Sequence, residues 1–196
     1  MPHAKVFFLN NKEFVVLPSV YEPREDSFLL AESLPTIKGK VLDVGTGTGI
    51  IALASLFRGA AHITAIDINP EAIKNVKLNF RRIAMENKLK AFRSNLFENV
   101  KGRFDVICFN PPYLPSEEIQ EFAIDGGTEG REVLDSFLYN VKGYLKRNGR
   151  VYFLQSSLNG FAKTKEILQE LNFGYRVIAT SKLFFEKLVV FECLPM

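Results

Sequence analysis

The chain has 196 residues, of which 47% are hydrophobic, and its net charge at pH 7 is +3. These values predict a single packed domain over residues 1–196 and exclude a largely disordered chain. Lysines and arginines are scattered along the sequence, whereas a dedicated nucleic-acid binder usually gathers them into a dense basic stripe.

Residues 1–36 form an N-terminal unit that precedes the repeating part of the sequence. Apolar runs at 5–9 and 13–17 flank Asn10-Asn11, which predicts a small β-hairpin. Asp26 is predicted to cap a helix that continues over residues 27–34 and ends before Pro35.

From Lys40 onward, strand-like and helix-like segments alternate. This alternation predicts an α/β fold with a mostly parallel, seven-stranded sheet and helices on both faces. Asn148-Gly149 is predicted to form a turn. The last two strands have no helix between them, so we expect either that they pair as an antiparallel hairpin or that one of them inserts beside its predecessor. The predicted strands are 40–45, 62–68, 90–95, 104–110, 150–156, 174–182 and 184–193, and the predicted helices are 49–57, 71–84, 131–145 and 160–171.

The sequence contains neither a metal-binding pattern of cysteines and histidines nor an apolar run long enough to span a membrane. Cys108 and Cys193 lie far apart in apolar runs, where free thiols are usually buried, and His3 and His62 stand in no metal-binding pattern. No apolar run approaches the roughly 18 residues that span a bilayer, and the N-terminus lacks a signal-peptide layout. We therefore expect a cytoplasmic protein without a metal site.

A glycine-rich loop follows the first strand of the alternating region. Its glycines permit a tight turn and let a cofactor approach the backbone, as they also do in nicotinamide and flavin enzymes. Asp43, just before the loop, would repel a pyrophosphate but tolerates the positive sulfonium and ammonium groups of S-adenosylmethionine. The cofactor-binding candidates here are Asp43, Gly45, Thr46, Gly47 and Gly49.

Asp67 ends the second strand, where a carboxylate can accept both hydroxyls of a ribose. Asn69 and Pro70 already supply the cap and first residue of the next helix, so Asp67 is not needed there. The sequences DVGTGTG and AIDINP resemble the Rossmann-like class I methyltransferases, which bind S-adenosylmethionine. The resemblance places Asn95 at the adenine amino group, where that family usually has an acidic residue, with Ile68 and Leu96 as neighbouring cofactor contacts.

The tetrapeptide Asn110-Pro111-Pro112-Tyr113 begins where a buried strand ends, at the edge where open α/β sheets bind ligands. Two prolines stiffen the backbone and remove its N–H groups. The side-chain carbonyl of Asn110 and the backbone carbonyl of Pro111 can then hold the two hydrogens of one NH2 group. We expect Asn110, Pro111 and Tyr113 to be catalytic, all four residues to bind substrate, and Asn110 to contact the cofactor as well.

Two further segments resemble the HemK-type protein-glutamine methyltransferases, in their short archaeal and eukaryotic branch. They are VYEPREDSFLL at residues 20–30 and DGGTEGREVLDSFL at residues 125–138. The resemblance implies N5-methylation of the glutamine in the Gly-Gly-Gln motif of a peptide-chain release factor. It also implies that residues 1–36 cover the cofactor site and that Tyr21 and Ser27 contact the cofactor.

The same resemblance implies a small zinc-binding activator protein as partner. Bacterial relatives carry an extra N-terminal helical domain, for which 196 residues leave no room. We expect the activator to dock by strand addition near Lys90–Phe92. Glu22, Glu25 and Asp26 have a second interpretation, as the solvated start of a helix.

The tetrapeptide by itself is also compatible with substrates other than glutamine. Adenine N6 of DNA or RNA and a protein lysine remain alternatives to glutamine. The acidic residues that follow the tetrapeptide would repel phosphates, which makes a nucleic-acid substrate less favoured. They are Glu117, Glu118, Glu121, Asp125 and Glu129.

Overall fold

The computed structural model describes residues 5–113 and 130–196. Its N-terminal part is a hairpin, β1 (Lys5–Leu9) and β2 (Lys12–Val16), followed by helix α1 (Glu25–Ser33). Asn10 and Asn11 both have positive φ, at 50° and 59°, as a two-residue turn between twisted strands requires. The predicted hairpin is thus confirmed.

The remaining elements build the larger sheet and its helices. Within the described residues, this sheet has seven strands in the order β5-β4-β3-β6-β7-β9-β8. The elements are β3 (Lys40–Val44), α2 (Ile50–Phe57), β4 (His62–Asp67), α3 (Pro70–Arg82), β5 (Leu89–Arg93), β6 (Phe104–Phe109), α4 (Glu132–Val141), β7 (Leu145–Ser156), α5 (Phe161–Glu170), β8 (Phe173–Lys182) and β9 (Lys187–Pro195).

Strands β3 to β7 are parallel, while β9 is antiparallel to both of its neighbours. The two arrangements expected for the last strands therefore occur together: β8 and β9 form a hairpin, and β9 inserts beside β7. Helices α1 to α3 pack on one face of the sheet, and α4 and α5 on the other. Cys108 and Cys193 are both buried. The predicted fold class is confirmed.

Two local predictions are wrong. Asn148-Gly149 forms no separate turn, because β7 already begins at Leu145 and runs through both residues. Leu145 pairs with Phe104 and Arg150 with Val106, so a shift in register absorbs the extra residues inside the strand. The glycine is needed for close packing instead, since a Cβ on Gly149 would lie 3.0 Å from the carbonyl oxygen of Phe104.

The second error concerns the start of α1. Arg24 occupies the N-cap position and makes no side-chain capping hydrogen bond. Asp26 lies inside the first turn and is only 3% exposed, so it is neither a cap nor part of a solvated helix start. Glu25, by contrast, is exposed.

Two buried asparagines of α3 hold the N-terminal hairpin against the sheet domain. The side chain of Asn79 accepts a hydrogen bond from the N–H of Val15 (3.0 Å) and donates to the carbonyl of Val15 (2.9 Å). Asn75 accepts from the N–H of Leu17 (2.6 Å). These bonds satisfy the backbone of β2 where no further strand pairs with it.

The five acidic residues that follow the tetrapeptide all lie within residues 114–129, outside the described part of the chain. Among the described residues, no helix is both long enough and apolar enough to cross a membrane.

Candidate active site

The loop between β3 and α2 has the backbone geometry that its glycines predict. Gly45, Gly47 and Gly49 all adopt positive φ, at 62°, 52° and 86°. A Cβ on Gly49 would lie 2.6 Å from Val76 Cγ2, so this glycine lets the loop pack against α3. A Cβ on Gly47 would meet nothing within 4 Å, so open space lies beside this part of the loop. A ligand can therefore approach the backbone at Gly47.

Asp43 lies beneath this loop. Its Oδ2 accepts hydrogen bonds from Thr46 Oγ1 (2.6 Å) and from the N–H of Ala52 (3.2 Å). Its Oδ1 is buried and finds no hydrogen-bond partner. Burial raises the pKa of Asp43 to about 7, although its two hydrogen bonds oppose this shift. Asp43 thus shapes the loop and offers one unpaired acceptor; its contact with a cofactor stays a prediction.

Asp67 lies at the end of β4, beside the glycine loop. Its Oδ2 accepts a hydrogen bond from the N–H of Gly47 (2.9 Å), and its Oδ1 accepts one from the N–H of Asn69 (2.8 Å). Burial raises the pKa of Asp67, while these backbone N–H groups lower it. Each carboxylate oxygen still has acceptor capacity for a ribose hydroxyl. The predicted capping role of Asn69 is confirmed, since its side chain accepts from the N–H of Glu71.

The predicted adenine contacts follow the next strand. Asn95 is exposed, and its Nδ2 donates to Glu98 Oε1 (3.1 Å). The N–H of Ser94 donates to the carbonyl of Asp67 (3.0 Å), which joins this turn to the end of β4. The turn continues through Leu96, which has a φ of 43°. Ile68 belongs to the same surface, because its carbonyl accepts from Arg93 Nε (2.9 Å).

Asn110 begins the tetrapeptide and is held by helix α1. Its Nδ2 donates to Asp26 Oδ2 (2.9 Å) and, at 3.4 Å, to Ser27 Oγ. A carboxylate only accepts hydrogen bonds, so Asp26 determines which end of the Asn110 amide faces it. Asn110 Oδ1 is buried without a hydrogen-bond partner. An unpaired buried acceptor is costly unless a ligand or water satisfies it, which makes Oδ1 a candidate binding group.

Two tyrosines flank this pair. Tyr21 donates a long hydrogen bond to Asp26 (3.4 Å), and Tyr113 ends the tetrapeptide. Burial, and next the charge of Asp26, raise the pKa of both phenols. Both are therefore neutral at physiological pH. Pro111 is buried, and Pro112 is half-buried between Pro111 and Tyr113.

Asp26 and Asn159 are site residues whose roles were missed in the sequence. The Nδ2 of Asn159 donates to the carbonyl of Tyr113 (2.7 Å) and to that of Gly130 (2.9 Å). The main-chain carbonyl of Asn159 in turn accepts from the buried Arg131 guanidinium. Asp26 had a signal, its place between Tyr21 and Ser27 in the segment with a family resemblance. Asn159 had no comparable signal.

The arrangement brings six separate segments to the carboxyl ends of the parallel strands. They are α1, the glycine loop, and the residues that follow β4, β5, β6 and β7. It offers hydrogen-bond acceptors, aromatic side chains and open space at Gly47. In the described part of the chain, no group of three or more His, Cys, Asp or Glu residues could hold a metal ion.

Comparison with known proteins agrees with this geometry. Residues 19–185 match the family model "Methyltransferase small domain". The chain is 48% identical over 184 residues to the "Putative protein N5-glutamine methyltransferase" of Methanocaldococcus jannaschii, covering 88% of this chain and 90% of that protein. It is 32% identical to the release factor glutamine methyltransferase of Agrobacterium fabrum, covering 66% of this chain and spanning 52% of that protein.

A solved structure extends the similarity. The chain superimposes with a TM-score of 0.68 on the E. cuniculi Mtq2–Trm112 complex, described as responsible for methylation of the eRF1 translation termination factor. The identity is 26%, and the match covers 91% of this chain and 99% of the other. The chain therefore belongs to the methyltransferase small domain family and is an S-adenosylmethionine-dependent enzyme of the HemK type.

Proposed function

We propose that the chain methylates N5 of a glutamine side chain in the Gly-Gly-Gln motif of a peptide-chain release factor. The observation that carries this proposal is the unpaired Oδ1 of Asn110, whose amide is oriented by Asp26. The names of the relatives in M. jannaschii and A. fabrum, and the description of the E. cuniculi complex, support the same substrate class.

The substrate amide is proposed to bind between Asn110 and Tyr113. Asn110 Oδ1 and the Pro111 carbonyl accept its two N–H hydrogens, and the Tyr113 ring forms a flat wall beside it. Holding both hydrogens directs the nitrogen at the methyl group and raises its electron density. Catalysis then rests on positioning and electrostatics.

S-adenosylmethionine supplies the methyl group, as a sulfonium. The nitrogen–carbon bond forms as the sulfur–carbon bond breaks, and the nitrogen then loses one proton to solvent. The site has no need of a base, and the raised pKa values of Tyr21 and Tyr113 remove both phenols from that role at neutral pH.

The residues around the glycine loop fit the cofactor. We place the ribose hydroxyls on Asp67, the methionine part near Asp43 and the open backbone at Gly47, and the adenine between Ile68 and Asn95. Further contacts are assigned to Gly45, Thr46, Gly49, Leu96 and Asn110. Residues 1–36 are proposed to cover this site, with Tyr21 and Ser27 as contacts, because Asp26 and Ser27 already reach Asn110.

The charge around Tyr113 supports a polypeptide over a nucleic acid. The carboxylates of Glu25, Asp26 and Glu186 are near enough to raise the pKa of Tyr113, after the larger effect of burial. Such a setting disfavours phosphates, so adenine N6 fits the acceptor pair but not its surroundings. A lysine would place an ammonium where two neutral acceptors are arranged for a planar NH2 group.

We also propose a small partner subunit, as in the E. cuniculi complex, and specifically a zinc-binding one. In the sheet order, β5 is an edge strand, and Lys90–Phe92 lie in it. An edge strand offers unpaired backbone groups for strand addition. The cytoplasm, where release factors act, is the proposed location.

The decisive assay uses S-adenosylmethionine with a labelled methyl group. A release factor, the same factor with Gln→Ala in its Gly-Gly-Gln motif, and nucleic acid are tested in parallel. We expect label only in the unaltered factor; equal labelling of both factors would contradict the glutamine assignment. Asn110→Ala should abolish turnover while leaving cofactor binding largely intact.

A further inference from the structure

The turn between β8 and β9 carries the most exposed large apolar side chains in the described part of the chain. Phe184 is 92% exposed and Phe185 is 86% exposed. Their ring centroids lie 4.6 Å apart in an edge-to-face contact. Single exposed apolar residues are ordinary, but two adjacent phenylalanines displayed together form a surface suited to protein contact.

This turn is fixed to the end of β7. The N–H of Leu183 donates to the carbonyl of Glu186 (2.8 Å), which closes the turn. The Glu186 carboxylate accepts a hydrogen bond from Ser156 Oγ, and the N–H of Lys187 donates to Ser157 Oγ (2.9 Å). The two rings are therefore presented on an anchored support, so contact with them costs little ordering of the backbone.

The end of β7 also borders the active site. Phe153 of β7 pairs with Phe109 of β6, and Asn110 follows directly. The short turn after β7 carries Asn159, which donates to the Tyr113 carbonyl (2.7 Å). A continuous path thus joins the phenylalanine pair, through Ser156 and Asn159, to Tyr113.

We propose that Phe184 and Phe185 form a docking surface for the body of the methyl-accepting protein, beside the segment that enters at Tyr113. This inference rests on the proposed function and adds where the protein substrate is gripped. A free amide or a short peptide needs only the groups around Asn110, whereas a folded substrate must also contact the rim. The carboxylates of Glu25, Asp26 and Glu186 act on Tyr113 and complement a polypeptide segment that carries positive charge.

The test compares Phe184→Ser/Phe185→Ser with the control Met85→Ser. Met85 is an exposed apolar residue between α3 and β5, at the opposite edge of the sheet from the turn between β8 and β9. Methyl transfer is measured with a full-length release factor and with a synthetic Gly-Gly-Gln peptide. Loss of two interface aromatics should lower kcat/KM for the full-length factor about tenfold, through KM. Activity on the peptide, cofactor affinity and Tm should stay unchanged, and Phe184→Leu/Phe185→Leu should recover part of the loss.

An unchanged KM for the full-length factor in the serine variant would overturn the docking surface while leaving the proposed function intact. Equal losses with factor and peptide would also overturn it, because the rim would then act on the site itself. A change confined to self-association or to partner binding would assign the pair to that interface instead. If the unaltered enzyme labels no glutamine, the proposed function fails and this inference fails with it.

Discussion

Asp26 and Asn110, which are 84 positions apart in the sequence, meet in a hydrogen bond of 2.9 Å between the carboxylate and the amide NH2 group. The other oxygen of Asp26 accepts from the N–H of Ser27 (2.7 Å). The Asn110 amide is thereby turned so that Oδ1 is left for a ligand. A helix outside the alternating sheet thus orients the acceptor on which catalysis is proposed to depend.

Asp26→Asn should lower kcat strongly. The new amide would keep one acceptor for the N–H of Ser27 and place an NH2 group against the NH2 group of Asn110. Asn110 would then rotate and present a donor to the substrate. A misdirected group of this kind costs about 100-fold in kcat, and cofactor affinity should change little.

Glu32→Gln is the matched control, because Glu32 is an exposed carboxylate in the same helix and is not among the carboxylates that act on Tyr113. Single-turnover kinetics and cofactor titration of both variants separate orientation from binding. Equal kcat values in Asp26→Asn and the unaltered enzyme would show that Asp26 does not position Asn110.

Asp67→Asn should weaken cofactor binding. One of its two carboxylate oxygens becomes an NH2 group, which cannot accept from a ribose hydroxyl and loses its backbone N–H partner. Loss of hydrogen bonds to a charged group corresponds to a rise of about 10- to 100-fold in Kd. Calorimetric titration with S-adenosylmethionine measures it. Asp105→Asn is the control, because Asp105 lies at the amino-terminal end of β6, away from the carboxyl ends of the strands. A similar Kd in both variants would place the ribose elsewhere.

The buried Asp43 should make the stability of the cofactor-free enzyme depend on pH. Burial raises the pKa of Asp43 from 3.8 to about 7 in the folded state. Its contribution is therefore fully present below the unfolded pKa and is lost as pH rises to the folded one. Each pKa unit is worth about 1.4 kcal/mol, so the unaltered enzyme should lose up to a few kcal/mol relative to Asp43→Asn across this window.

Urea unfolding at about pH 5 and about pH 8 tests this difference. Asp105 provides the comparison, because hydrogen bonds from Lys146 and from the N–H of Lys40 outweigh partial burial and lower its pKa. The contribution of Asp105 is constant above the unfolded pKa, and Asp105→Asn keeps Asp43. The difference in unfolding free energy between Asp105→Asn and the unaltered enzyme should therefore be the same at both pH values. A parallel pH dependence in Asp43→Asn and the unaltered enzyme would contradict the assignment.

Asn79→Leu should loosen the N-terminal hairpin. The substitution keeps a similar volume but removes three hydrogen bonds, to the N–H and carbonyl of Val15 and to the carbonyl of Thr48. The carbonyl of Val15 keeps a hydrogen bond from Asn75 Nδ2 (2.9 Å), so the N–H of Val15 and the carbonyl of Thr48 are the groups left unpaired. At about 1 kcal/mol or more for each unpaired group, the free energy of unfolding should fall by about 2 kcal/mol. Urea unfolding measures the loss, and Asn140→Leu on the exposed side of α4 should cost far less. A free energy of unfolding in Asn79→Leu equal to that of Asn140→Leu would contradict this role.

Local sequence patterns were enough to predict the fold class and most residues of the candidate site. Alternating apolar segments predicted the parallel strands and their helices, because each element records its own period and its own end signals. The glycine loop and the tetrapeptide were likewise recognisable, since glycine permits backbone conformations that other residues rarely adopt and proline restricts the backbone wherever it occurs. The same local signals misplaced Asn148-Gly149, where the register of two paired strands, and not turn chemistry, decided the path.

Contacts between distant segments depended on the tertiary structure. The insertion of β9 beside β7 brings Glu186, next to the phenylalanine pair, against Ser156 at the end of β7. Asp26 was expected to cap α1, but the packing of this helix makes it the hydrogen-bond partner of Asn110. The loop after β7 places Asn159 against the carbonyl of Tyr113. A sequence pattern records what each residue prefers locally, whereas these partners lie tens of positions apart and are chosen by how the elements pack.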